Sequence, residues 1–182
     1  MHRQPLLNLL ARYTERWPEE HDVVERFRML VTAHANCFDR DCWVGHITGS
    51  AWLVNHAGSH VLLTHHRKLE RWLQLGGHSD GESNTLLAAR REATEESGLE
   101  VEVLRHVPLD LDIHEIPARR DDPAHYHYDV RFAFRVVGSE EFAVSEESLD
   151  LAWVPIADLS GYTDEESVLR MARKWQASDW LG

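Results

Sequence analysis

The chain has 182 residues, a formal net charge of −12 and a hydrophobic fraction of 43%. This length suffices for one domain with its own core and is short for two. The excess of acidic residues and the absence of a basic run argue against long DNA or RNA as a partner, because such binding needs clustered cations. No apolar run approaches the length of a membrane span, and the first residues lack the apolar core of a signal peptide. We therefore expect a cytoplasmic protein with no membrane partner.

The beginning of the chain predicts a helical segment ahead of the main domain. Leucines and a tyrosine at helical spacing predict a helix over 4–16, and Pro18 opens a second helix that runs to about Phe38. We therefore expect an N-terminal helical extension over residues 1–40 and a single domain over 41–182. Cys37 and Cys42 are expected to be free thiols, because a disulfide scaffold is unusual at this size and cysteine count.

The main domain predicts an alternation of strands and helices. Residues 47–55 and 60–66, separated by a short turn, predict a strand pair. A third run, RWLQL, leads into Gly76 and Gly77, and a helix follows that ends at Gly98, a typical C-cap residue. This helix is predicted from about Asn84 to Ser97. After it, the sequence predicts strands over 107–116, 126–136 and 151–156 and a closing helix over 164–177.

The runs 107–116 and 126–136 alternate apolar and polar residues, which predicts an antiparallel pair across a long loop. The apolar face of the second run forms a core face, and its other members face away from it: His125, His127, Asp129, Arg131 and Arg135. Placing Asp112 opposite Arg131 makes attractive cross-strand pairs, whereas Asp112 opposite Asp129 sets like charges face to face. We therefore expect the first register, in which His114 lies opposite Asp129.

The predicted central helix carries Glu92, Glu95 and Glu96 on one side, next to a face of small residues that includes Ala89 and Ala93. Like charges at this spacing repel and weaken an isolated helix. Carboxylate oxygens are the ligands that hard cations such as Mg²⁺ or Mn²⁺ prefer. The cluster is therefore either a metal site facing a groove or a solvated acidic face.

Residues 91–99, REATEESGL, resemble the second half of the Nudix box, Arg-Glu-apolar-x-Glu-Glu-x-Gly-apolar, at every defined position. A Gly-Gly loop precedes them, and Trp72 lies four residues before Gly76, where Nudix strands carry Trp-x-x-Pro-Gly-Gly; Leu75 replaces the proline. The strand order extends this similarity over about residues 47–160. The resemblance implies a Nudix-type α/β/α sandwich, an α/β fold with a mixed β-sheet, here with the N-terminal helical extension added.

The Nudix box begins at the paired glycines and ends at Leu99. Its first half departs from the family pattern by one residue. The family spacing from glycine to glutamate is kept between Gly76 and Glu82, but eight residues rather than seven then precede Arg91. Counting back from Arg91 instead brings Ser83 to the position of the acid. Either the loop carries an extra residue and Glu82 reaches the helix, or Ser83 replaces the acid, for example as an N-cap.

The resemblance implies hydrolysis of a diphosphate linkage in a nucleoside diphosphate joined to another moiety, such as ADP-ribose or a dinucleotide, with Mg²⁺ or Mn²⁺ as cofactor. Arg91 is expected to orient a box glutamate through a charge-assisted hydrogen bond. The family draws its general base from the box or from a later loop, and homodimers are common in it. The implied metal ligands are Glu82, Glu92, Glu95 and Glu96, and the implied catalytic acids are Glu95, Glu96, Glu146 and Glu147.

Substrate contacts are predicted from residue types alone. Arg119 and Arg120 either clamp a phosphate or are solvated loop residues. Trp72, like Trp43 and Tyr126, either stacks on a base or belongs to the core. The histidines of the alternating strands, His127 together with His125 and His114, line the cleft, bind a metal or face solvent.

Two other functions share this fold. A nucleotide-binding module without catalysis is disfavoured by the three intact glutamates, since a pure binder needs no metal-activated water. An enzyme resembling isopentenyl-diphosphate isomerase needs a suitably placed cysteine, and Cys37 and Cys42 precede the core strands.

Overall fold

The computed structural model describes residues 2–67, 70–119, 122–144 and 148–181. Within them the chain forms seven strands, four α-helices and two short 3-10 helices. The helices are α1 (Gln4–Arg16), α2 (His21–Ala33), α3 (Thr85–Ser97) and α4 (Glu166–Gln176), with 3-10 turns at Pro18–Glu20 and Ile156–Gly161. The strands are β1 (His46–Val54), β2 (His60–His66), β3 (Arg71–His78), β4 (Glu100–Val103), β5 (Asp110–Ile116), β6 (His125–Val137) and β7 (Ser148–Pro155).

The strands form one mixed sheet in the order β4-β6-β1-β3-β2-β7, with β5 also paired to β6. β1 and β6 are parallel, and the other pairs are antiparallel. The expected pairing of the first two strands is confined to Val54 and Val61, because β3 inserts between β1 and β2. A mixed sheet with helices on both sides confirms the predicted α/β sandwich. None of the helices in the described ranges has the length and apolar character of a membrane span.

Two hydrophobic cores lie on opposite faces of the sheet. Alternate residues of β1 divide between them: Ala51 and Leu53 enter the core with α3, whereas Trp52 and Val54 enter the core with α4. The N-terminal helices join the first core through a set of fully buried side chains. These are Leu6, Leu10, Tyr13, Val24 and Phe27. The N-terminal extension therefore shares its core with the sheet, and the boundary at residue 40 stays a prediction.

The C-terminal end of α3 agrees with the prediction from the sequence, whereas that of α2 does not. Gly98 caps α3 in the left-handed conformation, at φ +71°, and its N–H bonds the carbonyl of Thr94, as predicted. α2 ends at Ala33, well before Phe38, because His34 is extended. The turns that follow bury Cys37 and Cys42 as free thiols, which confirms the prediction for both.

The predicted register of β5 and β6 is wrong. Asp112 lies opposite Asp129, Asp110 lies opposite Arg131, and His114 lies opposite His127. The repulsion between the opposed aspartates is offset by Arg131, which lies two residues along β6. Its Nε donates to Asp129 Oδ2 at 2.7 Å, and its Nη2 lies 3.3 Å from Asp112 Oδ2. Pairing rules that consider only directly opposed residues miss this diagonal neighbour.

The polar side of β6, predicted to face away from the core, is also buried. Asp129 and Arg131 are 2% and 1% exposed, because α4 covers this side of the sheet. From α4, Arg170 Nη2 donates a hydrogen bond to Asp110 Oδ2 at 2.7 Å, and Lys174 Nζ lies 2.6 Å from Oδ1 of the same carboxylate. Burial alone would raise the pKa of Asp110, but the hydrogen bond from Arg170 and the charges of Arg131 and Lys174 lower it below its usual value.

Removal of the central cation should destabilise the fold strongly. Arg131→Met leaves buried carboxylates without their shared partner, and we expect it to lower the free energy of unfolding by about 3–5 kcal/mol at pH 7. Arg135→Met is the matched control on the same strand, since it removes only a surface pair with Glu102 and should cost at most about 1 kcal/mol. Urea unfolding of both variants measures the difference.

The deficit of Arg131→Met should shrink as the pH falls below about 4. A depressed carboxyl pKa contributes stability above the unfolded-state value, and that stability is lost as the pH falls through the folded-state value. Equal unfolding free energies for the two variants at pH 7 would contradict the role given to Arg131.

Candidate functional site

The helix α3 rests directly on the backbone of β1. A Cβ atom at Gly49 would lie 2.8 Å from the backbone nitrogen of Ala89 and 3.0 Å from the carbonyl oxygen of Thr85. Ala89 and Ala93 are fully buried at this contact, as the small-residue face predicted. The close approach of helix and strand fixes where the acidic side of α3 lies.

Two glutamates of α3 lie against the paired glycines at the end of β3. The backbone N–H of Gly76 donates to Glu96 Oε2 at 2.8 Å, and Glu96 is 8% exposed. A Cβ atom at Gly77 would lie 2.4 Å from Glu92 Oε2, so only glycine leaves room for this carboxylate. The glycines and the glutamates, 15 to 20 residues apart in the chain, therefore form one site.

Arg91 links this site to the strand end. Its Nη2 donates to the carbonyl of His78 at 2.6 Å and to Glu92 Oε1 at 2.7 Å. Its Nε lies 3.8 Å from Glu95 Oε2, and the hydrogen bond to Glu92 raises the pKa of Arg91. Arg91 therefore makes a charge-assisted hydrogen bond to a box glutamate, and its orienting role stays a prediction.

The other two predicted acids differ in position from this pair. Glu95 has a carboxylate that is 64% exposed. Glu82 lies at the opposite end of α3, where its Oε1 accepts the N–H of Asn84 at 2.7 Å. Asn84 is the N-cap residue of α3, so Ser83 is not at the N-cap, contrary to that alternative.

The predicted substrate residues lie apart from one another in the chain and differ in exposure. Trp72 is half-buried and stacks on His65, with ring centroids 5.1 Å apart and planes 21° apart. Arg119 is exposed, and its backbone exchanges two hydrogen bonds with that of Asp122. Tyr126, predicted on the core face, is 40% exposed. Three further candidates lie outside the described residues: Arg120, Glu146 and Glu147.

A group of five histidine rings, here called the histidine cluster, lies at the ends of four neighbouring strands. Its members are His46, His78, His114, His125 and His127. His46 and His125 are 2% and 8% exposed, so these two rings do not face solvent, whereas the side chain of His114 is 42% exposed. Burial is the main cause that lowers the pKa of His46 and of His78 to about 4, and it lowers that of His127 as well. These imidazoles are therefore neutral at pH 7.

His114, His125 and His127 were candidates from the sequence, whereas His46 and His78 were not. His46 joins the cluster because β1 and β6 pair in parallel with His46 opposite His127. His78 joins it because β3 pairs with β1 beside them. The available signal was a histidine at the predicted start or end of several strands, but nothing local in the chain says which strands are neighbours.

A family model described as the NUDIX domain matches residues 46–175. The chain therefore belongs to the Nudix family, and the resemblance seen in residues 76–99 is confirmed. The interpretation of the protein as an enzyme of the Nudix hydrolase type is confirmed with it. Among curated proteins, none matches this chain.

Solved structures share the fold at low identity. A Nudix-family hydrolase from Clostridium perfringens is 23% identical, with a TM-score of 0.59 over 72% of this chain and 97% of its own. An Ap4A hydrolase from C. elegans is 17% identical, with a TM-score of 0.57 over 72% and 95%. The NUDIX domain of Shewanella oneidensis NrtR, solved with ADP ribose, is 16% identical, with a TM-score of 0.51 over 72% and 86%. These similarities confirm the Nudix fold.

The contact of α3 with β1 can be tested by one methyl group. Gly49→Ala would push against helix backbone, which cannot move aside as a side chain can, so we expect a loss of about 1–3 kcal/mol in unfolding free energy. Gly161→Ala is the control, because a Cβ there meets nothing within 4 Å and the change should stay within about 0.5 kcal/mol. A Gly49→Ala protein as stable as the control would show that α3 does not rest on β1 in this way.

Proposed function

We propose that this protein is a divalent-metal-dependent hydrolase that cleaves the diphosphate linkage of a nucleoside diphosphate joined to another moiety. The observation that carries the proposal is the meeting of Glu92 and Glu96 with Gly76 and Gly77. It brings the two halves of the Nudix box together at one strand end.

The donor atoms of this site fit a hard divalent cation. They are carboxylate oxygens, and two of the carboxylates are held in place, Glu96 by the N–H of Gly76 and Glu92 by Arg91. Oxygen-only sites favour Mg²⁺ or Mn²⁺ over softer ions. We assign Glu92 and Glu96 as the main ligands, with Glu95 completing the site. A bound ion would neutralise phosphate charge and lower the pKa of a nearby water.

The remaining residues have supporting roles in this proposal. Arg91 is a positioning residue, because it contacts Glu92 and the strand end. The general base comes either from the box, where Glu95 presents an exposed carboxylate, or from Glu146 or Glu147. Arg119 supplies an exposed cation for a substrate phosphate.

The substrate class follows from the family and stays open within it. One structural neighbour is an Ap4A hydrolase, and another was solved in complex with ADP ribose. We therefore propose ADP-ribose-like compounds and dinucleotides as the first candidates. Homodimer formation and a cytoplasmic location stay predictions from the sequence.

Neutralising the proposed metal ligands should abolish most of the activity. We expect Glu92→Gln and Glu96→Gln each to lower kcat/KM by more than about 100-fold in a Mg²⁺-dependent assay, since even residues that only support metal ligands cost about 10–100-fold. Glu100→Gln, at an exposed residue on the adjacent β4, is the control and should retain wild-type kinetics. The panel covers ADP-ribose, dinucleotides, dinucleoside polyphosphates and nucleoside triphosphates.

The same panel, extended by isopentenyl diphosphate, separates the two alternative functions. A wild-type protein that binds one of these compounds tightly but releases no product would be a binding module. Conversion of isopentenyl diphosphate would indicate the isomerase. Burial disfavours the latter, because it raises the pKa of the Cys37 thiol to about 11, and both cysteines lie in turns before β1.

The extra residue in the first half of the box gives a second kinetic test. We expect Glu82→Gln to lower kcat about tenfold if the charge of Glu82 supports the metal site. The glutamine carbonyl can still accept the N–H of Asn84, so the substitution keeps the hydrogen bond and removes the charge. Ser83→Ala should leave kcat unchanged. The reverse result, with normal kinetics for Glu82→Gln and a loss for Ser83→Ala, would give the auxiliary position to Ser83.

A further inference from the structure

Three members of the histidine cluster bring their ring nitrogens unusually close together. The candidate ligand atoms of His46, His125 and His127 all lie within 4.8 Å of one another. No carboxylate belongs to this group in the described part of the chain. The group is therefore chemically different from the glutamate site on α3.

The sheet itself assembles the three rings. The parallel pairing of β1 with β6 sets His46 opposite His127. The alternation of β6 then puts His125 on the same side, two residues earlier. His78 lies beside them on β3, with its ring centroid 5.1 Å from that of His46 and 5.0 Å from that of His127. A site built on paired strands holds its rings more precisely than a site on loops.

Two members of the cluster have buried ring nitrogens that make no well-formed hydrogen bond to the protein. In the described part of the chain, both nitrogens of His46 and Nε2 of His127 are buried and make no hydrogen bond of normal geometry; the Cys42 backbone acts weakly on His46, raising its pKa against the larger effect of burial. Buried polar atoms without partners are costly and uncommon in folded proteins. Because the buried ring of His46 is almost fully enclosed by protein, its unpartnered nitrogens point to a missing ligand.

The third histidine is already oriented as a ligand. Nδ1 of His125 lies 2.8 Å from the carbonyl oxygen of Pro123. A carbonyl oxygen only accepts, so Nδ1 carries a proton and Nε2 is the nitrogen left to face a ligand. Histidines that bind metals are commonly fixed in this way, by a backbone carbonyl on the other ring nitrogen.

Neutral rings favour a cation over an anion at this site. A phosphate is bound best by charged imidazolium donors, and burial, with neighbouring histidines as a smaller cause, disfavours the charged form of His46 and His127. Neutral imidazole nitrogens are instead good ligands for borderline transition metals such as Zn²⁺, Co²⁺ and Ni²⁺, whereas Mg²⁺ prefers oxygen.

We propose that His46, His125 and His127 form a site for a borderline transition-metal ion, with Zn²⁺ as the natural candidate, separate from the glutamate site on α3. Tetrahedral Zn–N bonds of about 2.0–2.1 Å imply nitrogen atoms roughly 3.4 Å apart, so the three rings close in slightly around the ion. Three histidines leave one position for water or another ligand. His78 lies next to Gly77, against which Glu92 packs, so the histidine site adjoins the box from the other side of the sheet.

Binding of Zn²⁺ and Co²⁺ to the metal-stripped full-length protein tests the proposal. In millimolar Mg²⁺, we expect one Zn²⁺ ion per chain by elemental analysis after dialysis, and a visible absorption band typical of tetrahedral Co²⁺ at one equivalent. Absence of a Co²⁺ band, or displacement of Zn²⁺ by millimolar Mg²⁺, would overturn the proposal.

Variants locate the ion. His127→Gln should lower the affinity for Zn²⁺ by more than about 100-fold. His106→Gln, at an exposed histidine outside the cluster, is the matched control and should bind Zn²⁺ as the wild type does. Equal affinities for the two variants would exclude the histidine cluster as the site.

Two further measurements keep the outcome interpretable. The Glu92→Gln/Glu96→Gln double variant should lose hydrolysis but keep the Co²⁺ band, so failure of the proposed hydrolase and failure of the metal site are distinguishable. If His127→Gln does not fold, imidazole NMR of the wild type replaces it. Addition of Zn²⁺ should shift the resonances of His46, His125 and His127 and leave that of His106 unchanged; a shift of His106 with the others unmoved would contradict the assignment.

Discussion

The buried guanidinium of Arg131 is the interaction on which the arrangement of this protein depends. It is 1% exposed and contacts the carboxylates of Asp110, Asp112 and Asp129, so it joins β5 to β6. α4 adds Lys174, and that ammonium also reaches Tyr13 of α1 at 2.7 Å. Breaking such a network leaves uncompensated charges in a low-dielectric interior, which costs far more than losing a surface pair. Through one buried set of charges, the N-terminal helices, the sheet and the C-terminal helix hold one another in place.

The same side of the sheet carries two kinds of buried polar group, and they differ in how fully they are satisfied. Asp129 accepts hydrogen bonds from Thr48 at 2.9 Å and from Ser50 at 2.8 Å, in addition to Arg131. One step along the strands, His46 and His127 have buried ring nitrogens without partners among the described residues. The charge network is complete with protein atoms alone, whereas the histidine cluster is not. This difference is why the cluster, rather than the network, points to a ligand.

The glycines at the end of β3 link the two candidate metal sites. On the α3 side, Gly76 and Gly77 receive the carboxylates of Glu96 and Glu92, and a side chain at Gly77 would overlap the carboxylate. The next residue, His78, lies among the imidazoles and accepts a hydrogen bond from Arg91 through its carbonyl. Oxygen donors on one side and nitrogen donors on the other select different cations by ligand chemistry. A substitution at this end of β3 would therefore affect both candidate metal sites.

The sequence by itself determined the elements whose signals are local: α3 with its Gly98 cap, the small-residue face that packs on the sheet, the acidic box and the family. These follow from spacing along a single helix or strand, which the chain carries directly. Only the tertiary structure decided the register of β5 and β6, the burial of the polar side of β6, and the entry of His46 and His78 into one cluster. Each of these depends on which strands become neighbours and on what covers them. Arg131 reverses the preferred register from a diagonal position, and α4 buries a face whose alternation in the sequence looks solvent-facing. Pairwise rules along the sequence miss both effects, because they contain neither diagonal contacts nor a helix from the far end of the chain.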